Sequence, residues 1–147
     1  MEYRKFSDKL YIRLDKGDEI LTSLAEICKK ENVTTASVQG IGGCGSAVVG
    51  VFDPDSKSYH RQQVSAMLEL ISLDGNVTVL DDAPYLHLHA SFAYHSEAGE
   101  EKILAGHLLE ATIALTGEII LTPADGCITR RYDDALGIRV WDFGAEN

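Results

Sequence analysis

The stretch at residues 85–94 reads Tyr-Leu-His-Leu-His-Ala-Ser-Phe-Ala-Tyr, and its aromatic residues and short-period alternation predict a β-strand. A polar segment at 96–101 follows, and a second strand-like segment occupies 102–113. The two strands with a short polar turn between them predict a β-hairpin centred near residue 98.

Strand-forming sequence continues on both sides of this hairpin. Alternating and β-branched residues predict further strands at 9–14, 34–39, 46–52, 58–72, 77–80, 102–121 with an interruption near Thr116, 127–132 and 138–143. Turn residues separate them at 53–55, 74–76, 81–84 and 123–126. We therefore expect a mainly antiparallel sheet.

One segment has the periodicity of a helix. Apolar residues recur at intervals of three and four from Ile20 to Cys28, and the pattern runs to about residue 31. Asp18, after Gly17, is the predicted N-cap. A sheet packed with one main helix is an α+β fold, and the length suits a single domain over residues 1–147.

The composition is that of an ordinary globular protein. Hydrophobic residues make up 45% and charged residues 24% of the chain, which excludes wholesale disorder and fibrous classes. No stretch has the ~18 uncharged apolar residues of a membrane span, and we expect no signal peptide. Cys28, Cys44 and Cys127 lack C-x-x-C spacing, which predicts three buried, reduced thiols in a cytoplasmic protein.

The charge balance disfavours binding to nucleic acid. Thirteen Lys and Arg stand against 23 Asp and Glu, giving a net charge of −10. Such a surface repels a phosphate backbone unless its cations are gathered in one patch. The one basic and aromatic cluster, Arg130-Arg131-Tyr132, is too small for that footprint, and we interpret its arginines as ion-paired with surface acids.

A glycine-rich segment at Gly40–Gly45 matches the G-x-G-x-x-G motif of dinucleotide sites. In those sites the third glycine opens a helix, and an acidic residue follows about 20 positions later. Here Gly45 leads into a strand-like segment, and no acid lies between Asp55 and Glu69. We therefore interpret the motif as a bulge or bend between strands, or as the backbone wall of a ligand pocket, and expect no nucleotide cofactor.

Three histidines converge if the hairpin has its expected register. His87 and His89 are two residues apart, so they share one face of their strand. A hairpin centred near residue 98 places His107 directly opposite His89, where Cβ atoms are ~4.5–5.5 Å apart. A slip of one residue would turn His107 to the other face.

Three neutral imidazole nitrogens with an open fourth position are the ligand set of a catalytic-type zinc site. The predicted metal ligands are therefore His87, His89 and His107. The same alternation is also compatible with an exposed face, an oligomer contact or buried hydrogen-bonded histidines. His60 and His95 lie at a strand start and at the hairpin tip, and we interpret both as solvated surface residues.

Three carboxylates are candidates to assist such a site. Glu69 lies within an apolar strand, where a carboxylate must be paired, hydrogen-bonded or protonated, so it is a candidate general base or partner of a metal ligand. Glu110 falls on the opposite face of the strand from His107, and Glu118 follows Gly117. The sequence assigns no catalytic residue.

Four motifs carry a resemblance to a known family. They read Glu-Leu-Ile-Ser-Leu-Asp-Gly-Asn at 69–76, Pro-Tyr-Leu-His-Leu-His-Ala-Ser at 84–91, Gly-His-Leu-Leu at 106–109 and Thr-Gly-Glu-Ile at 116–119. Together with the opening strand and helix, they resemble the plant-and-prokaryote conserved (PPC) domain family in order and spacing. One departure is Ala105-Gly106, where the family often has paired glycines.

The resemblance implies a homotrimer built on a mainly antiparallel sheet packed with helix. In prokaryotic members, the histidines that match His87, His89 and His107 resemble a zinc-binding triad, so one Zn²⁺ per subunit is expected. Plant members carry AT-hooks and are commonly described as DNA-binding for that reason. No Arg-Gly-Arg-Pro occurs in this chain, so nucleic acid is not an expected partner.

We therefore expect a cytoplasmic, homotrimeric PPC-domain protein whose three histidines hold zinc, with water or a small ligand completing the coordination. Two alternatives remain open. One is a DNA-associated or transcription-linked regulator that recruits partners through the trimer surface. The other is a zinc-dependent hydrolase or lyase that acts on a small molecule near the Gly40–Gly45 segment.

Overall fold

Strands fill most of the chain, as the alternation predicts. A computed structural model describes residues 1–144, and 69% of these residues are in β-strands. In chain order the elements are β1 (Glu2–Phe6), β2 (Lys9–Asp15), α1 (Ile20–Lys30), β3 (Ala36–Asp53), β4 (Ser58–Leu80), β5 (Ala83–His95), β6 (Glu101–Pro123), β7 (Thr129–Asp133) and β8 (Ile138–Asp142). The predicted α+β class is confirmed.

The strand boundaries differ from the predicted ones in several places, and the interruption predicted near Thr116 is wrong because β6 runs unbroken from Glu101 to Pro123. The segments 34–39 and 46–52 belong to one long strand, β3, and the segments 58–72 and 77–80 belong to β4. Strand β1 is missed by the sequence analysis, because it is an edge strand whose residues are mostly exposed and therefore show no alternation. Of the predicted domain, residues 145–147 lie outside the described part of the chain.

The four longest strands form a closed sheet through their hydrogen-bonded pairings. Strand β3 pairs with β4 and β6, and β5 also pairs with β4 and β6, so the pairings form a closed circuit. These pairings are all antiparallel. Strands β1 and β2 extend the sheet beyond β6, and the β7–β8 hairpin joins β4 through one parallel pair, Val79 with Thr129. Closure leaves few exposed strand edges.

The predicted turn at 74–76 is wrong, because this segment runs straight through β4. Gly75 pairs with Leu88 of β5. A Cβ at Gly75 would collide with the backbone carbonyl oxygen of His87. The glycine is therefore needed for the close approach of β4 to β5 rather than for a change of chain direction.

The glycine-rich segment lies inside β3. The register of β3 against β4 shifts between Gly40 and Gly42 and again between Cys44 and Ser46. These shifts are β-bulges, so the bulge interpretation is confirmed, although the bulges lie within one strand rather than between two. Strand β3 continues beyond them to Asp53.

Helix α1 covers the core on the side of β5 and β6. Its apolar stripe, which includes Ile20, Leu24 and Ile27, is buried there. The 11-residue helix is the only one in residues 1–144, and it is neither long nor apolar enough to cross a membrane. Burial of this stripe stabilises the helix more than its own propensity does.

The helix begins one residue later than predicted. The N-cap is Glu19 rather than Asp18, because the Glu19 carboxylate accepts hydrogen bonds from the backbone N–H groups of Leu21 and Thr22 at 3.1 and 2.7 Å. The same carboxylate accepts from the N–H of Ala111 on β6 at 3.2 Å. Glu19 therefore caps the helix and also attaches it to the sheet.

Two of the three predicted buried thiols are buried. Burial raises the pKa of Cys28 and of Cys44 to about 11, which keeps both thiols protonated and unreactive. The prediction is wrong for Cys127, which is exposed. It directly follows the turn at residues 123–126, outside any regular strand.

Removing the Glu19 carboxylate should destabilise the protein. Glu19→Ala leaves the backbone N–H groups of the first helical turn and of Ala111 without their acceptor, so we expect a loss of about 0.5–2 kcal/mol in the free energy of unfolding. Urea unfolding followed by circular dichroism measures this loss. Glu26→Ala, on the exposed face of the same helix, is the control, and an equal loss in both variants would contradict the capping role.

Candidate metal centre

Three histidines meet where β5 pairs with β6. His87 and His89 lie on one face of β5, because the residue between them, Leu88, points into the core and is fully buried. His107 on β6 is the direct register partner of His89. The predicted hairpin register is therefore confirmed, and it brings all three rings to one face of the sheet.

The three rings surround a common point. Their centroids lie 5.3 Å apart for His87 and His89, 5.1 Å for His87 and His107, and 5.5 Å for His89 and His107. One ring nitrogen from each histidine lies within 4.8 Å of the other two. Nitrogen ligands of a tetrahedral zinc ion are about 3.3 Å apart, so small side-chain rotations would complete the convergence.

The environment of His87 and His107 favours neutral imidazoles. Burial lowers the pKa of His107 to about 4, with smaller contributions from His87 and His89. Burial also lowers the pKa of His87. The neutral form is the one that binds metal ions.

His107 has an unsatisfied nitrogen. Its Nδ1 atom is the one side-chain nitrogen or oxygen within residues 1–144 that is buried without a hydrogen-bond partner. Its ring also stacks on Tyr59, with centroids 5.1 Å apart. A buried polar atom without a hydrogen-bond partner destabilises the folded state, and a ligand bound to this nitrogen would remove that cost.

The backbone at His107 depends on the preceding glycine. A Cβ at Gly106 would lie 2.7 Å from the carbonyl oxygen of Gly50, so only glycine lets β6 run this close to β3. The neighbouring Ala105 is exposed, and its methyl group meets no such obstacle. Position 106 thus carries the steric requirement at this point of the strand, and the alanine at 105 leaves the histidine in place.

A cavity of about 460 Å³ opens beside the histidines. Aromatic side chains, among them Tyr59 and Tyr85, form part of its wall, and Arg130 and Arg139 of the β7–β8 hairpin form another part. No sequence pattern assigns these four residues to the site, because three of them lie on strands that are far from the histidines in sequence. No Asp or Glu lines the cavity in the described part of the chain.

The prediction that Arg130 forms a surface ion pair is wrong. Arg130 is only 9% exposed, and its guanidinium donates to the Thr78 hydroxyl at 2.8 Å, the Asn76 side-chain oxygen at 2.9 Å and the Arg139 carbonyl at 3.2 Å. It also lies over the Tyr85 ring, 4.5 Å from the centroid.

The neighbouring Arg131 does pair with a surface acid, Asp133, at 3.6 Å. Adjacent strand residues point to opposite faces. The alternation of a β-strand therefore indicates that only one residue of the Arg130-Arg131 pair can lie on the outer face.

The three candidate carboxylates do not reach the site. Glu69, Glu110 and Glu118 are exposed, and none of them lines the cavity. The carboxylate closest in register is Asp74, opposite His89 on β4, but it accepts a hydrogen bond from Ser72 and lines a different depression. The structure therefore places no general base of the predicted kind beside the histidines.

The two remaining histidines lie apart from the triad. His60 and His95 are both exposed, as predicted. The Nε2 atom of His60 lies 3.4 Å from a carboxylate oxygen of Asp53. Neither belongs to the cluster that His87, His89 and His107 form.

The residues fit a metal ion that prefers nitrogen ligands. Three imidazole nitrogens converge, the Nδ1 atom of His107 is buried without a hydrogen-bond partner, and no carboxylate belongs to the cluster within residues 1–144. Hard cations such as Mg²⁺ and Ca²⁺ prefer oxygen ligands, whereas imidazole suits zinc, copper, iron and nickel. The donor set therefore favours a transition metal.

Comparison with known proteins identifies the family. The sequence profile of the Plants and Prokaryotes Conserved (PCC) domain matches residues 1–125. The chain belongs to this family. The resemblance found in the sequence motifs is thereby confirmed. The PCC match includes all three histidines and ends before the β7–β8 hairpin. No curated protein matches the chain.

Several solved structures share the fold over nearly their whole length. A candidate DNA-binding protein from Bacteroides thetaiotaomicron is 30% identical, with a TM-score of 0.88 and coverage of 97% of this chain and 96% of that one. A metal-containing protein from Archaeoglobus fulgidus is 26% identical, with a TM-score of 0.82 and coverage of 95% and 94%. A plant- and prokaryote-conserved protein from Pyrococcus horikoshii is 29% identical, with a TM-score of 0.80 and coverage of 96% and 93%.

The metal-free protein should lose stability as the pH falls from about 6.5 to about 4. In this window the unfolded chain protonates His107 near the ordinary pKa of 6.5, whereas the folded protein keeps it neutral down to about 4. The unfolded state then binds more protons, so acid favours unfolding. Urea unfolding of chelator-treated protein across this pH range measures the slope.

The His107→Gln variant should show a flatter pH dependence than the wild-type protein. The exposed His95→Gln variant serves as the control and should keep the wild-type slope. An identical slope in all three proteins would show that His107 titrates normally in the folded state.

Proposed function

We propose that this PCC-domain protein is a homotrimeric zinc-binding module in which His87, His89 and His107 hold one Zn²⁺ per subunit. The observation that carries the proposal is the convergence of the three ring nitrogens within 4.8 Å on a rigid pair of strands. Sites built on paired strands hold their ligands more precisely than sites on loops.

Three further observations support a metal at this place. The depressed pKa values of His87 and His107 keep the rings neutral and ready to bind at physiological pH. The buried Nδ1 of His107 lacks any partner within the described residues. A relative from Archaeoglobus fulgidus with 26% identity is described as a metal-containing protein.

The chain's own residues orient the site. Leu88 anchors β5 in the core between the two histidines of that strand, and Tyr59 stacks on His107 and limits the rotation of its ring. A zinc ion bound by three neutral nitrogens would offer its fourth position to water or to a small ligand and would act there as a Lewis acid. The cavity gives a small molecule access to that position.

Zinc analysis of purified protein tests the ligand assignment. We expect about one zinc ion per chain in the wild-type protein. The double variant His87→Ala/His89→Ala should lose it, because one imidazole alone binds zinc weakly. The double variant His60→Ala/His95→Ala removes the same number of imidazoles from exposed positions outside the cluster and should keep its zinc.

Circular dichroism of both variants verifies that the fold is intact. Zinc content that survives the loss of His87 and His89 would reject these residues as ligands. Zinc content that falls equally in the control variant would point to binding at the surface instead.

An exposed apolar face supports self-association. Ile41, Met67, Ile71, Ile103 and Leu115 are between 47% and 66% exposed, although all of them lie on the long central strands β3, β4 and β6. These residues are neighbours, because the side chains of Met67 and Leu115 both lie beside Gly43. Ile41 and Ile71 line one surface depression, and Met67 and Ile103 line another. Contiguous apolar surface of this kind marks an interface between proteins. The family resemblance implies a trimer.

Light scattering coupled to size-exclusion chromatography measures the assembly. The wild-type protein should have the mass of three chains of 16.0 kDa. Met67→Glu/Leu115→Glu should dissociate it, because carboxylates cannot be buried unpaired in the interface. Leu136→Glu changes a comparably exposed leucine outside this face and should leave the trimer intact. A wild-type mass of one chain would refute the trimer.

The two alternative functions have less support from the site. Many zinc-dependent hydrolases and lyases use a carboxylate as general base, and no carboxylate of the described residues lines the cavity. The alternative of a DNA-associated regulator is consistent with the description of the Bacteroides thetaiotaomicron relative as a candidate DNA-binding protein. In this chain, however, Arg130 is buried in intramolecular hydrogen bonds and Arg131 pairs with Asp133, so the basic cluster offers no footprint for a phosphate backbone.

A further inference from the structure

The β7–β8 hairpin adds a wall to the histidine site from outside the matched PCC region. The PCC match ends at residue 125, and the hairpin spans Thr129–Asp142. Its side chains Arg130, Tyr132 and Arg139 line the same cavity as the three histidines. The hairpin therefore determines which molecules fit beside the histidines without contributing a predicted metal ligand.

The charges around this cavity are all of one sign. Arg130 and Arg139 are the charged residues that line it, and no carboxylate does so within the described residues. This is unexpected in a chain with 23 acidic residues and a net charge of −10. Three other cavities of the described residues are each lined by at least one acid, for example Glu118, Glu31 and Glu69. The cavity is thus an electropositive pocket on an acidic protein.

Both guanidinium groups of the pocket lack an ionic partner. Arg130 is buried, and its hydrogen-bond acceptors, Thr78, Asn76 and a carbonyl oxygen, are all neutral. Arg139 is exposed above the Tyr132 ring and forms no ion pair among the described residues. A buried cation without a counter-charge is costly, and an anion in the pocket would compensate for it.

The other side chains that line the pocket favour a particular kind of group in the uncharged part of the ligand. Four aromatic side chains, Phe52, Tyr59, Tyr85 and Tyr132, are among the residues that line the pocket. A flat apolar group packs well against such rings in stacked or edge-to-face contacts. A volume of about 460 Å³ suits a molecule of one or two rings. Arginine binds a carboxylate through two parallel hydrogen bonds, which suits an anionic end on such a molecule.

We propose that this pocket binds a small aromatic carboxylate. Its carboxylate lies on the side of Arg139 and Arg130, and its ring lies against the tyrosines beside His107. The proposal rests on the proposed function in one respect, since the zinc ion would occupy the histidine end of the same cavity and add positive charge there. The arginines attract the anion with or without the ion.

Calorimetric titration with benzoate tests the proposal. Benzoate should bind the zinc-loaded and the chelator-treated wild-type protein, and benzamide, its neutral counterpart, should bind much more weakly. Arg139→Gln should weaken benzoate binding by about tenfold, because it removes a charge-assisted hydrogen bond. Arg131→Gln removes the same charge from the same hairpin, but at a residue that pairs with Asp133 outside the pocket, and should leave the affinity unchanged.

Three results would overturn the proposal. The first is no benzoate binding by either form of the wild-type protein, and the second is equal affinity for benzoate and benzamide. The third is an equal effect of Arg139→Gln and Arg131→Gln. Tighter binding of inorganic phosphate than of benzoate would reject the carboxylate as the ligand class. Absence of zinc from the wild-type protein would instead refute the metal site. Titration of the chelator-treated protein with benzoate would still test the anion pocket in that case.

Discussion

The pairing of β5 with both β4 and β6 is the constraint on which the site depends. It closes the circuit of long strands, and its register is held by the core because Leu88 and Ala90 are buried on the inner face. A slip of one residue would expose both of them and bury the histidines. The free energy of core packing therefore also holds His87 and His89 on the outer face.

The histidine triad could be predicted because its geometry is local. All three residues lie on one hairpin with a short polar turn, and the two-residue period together with the position of the turn determines which side chains face each other. The opposite holds for Arg130. Its partners Thr78 and Asn76 are 52 and 54 positions away, and one bridge between β4 and β7 joins the segments. No local pattern carries that information.

Two of the wrong predictions concern residues with two possible physical roles. Gly75 has the neighbours of a turn glycine, yet it is required because β5 approaches β4 closely. Asp18 is the better N-cap by propensity, but Glu19 reaches both the helix and the N–H of Ala111 on β6. In both cases a tertiary contact decides between two roles that the sequence allows, and that contact forms only when distant strands pair.

The division of the cavity wall between two parts of the chain follows from the same topology. The histidines lie on strands of the closed circuit, where any shift would disturb the core, and they belong to the matched PCC region. Arg139 lies on a hairpin that joins the sheet at one bridge and a few side-chain hydrogen bonds. Substitutions on the hairpin therefore cost little core packing. The chain could change the ligand that it admits while keeping the geometry of its histidines.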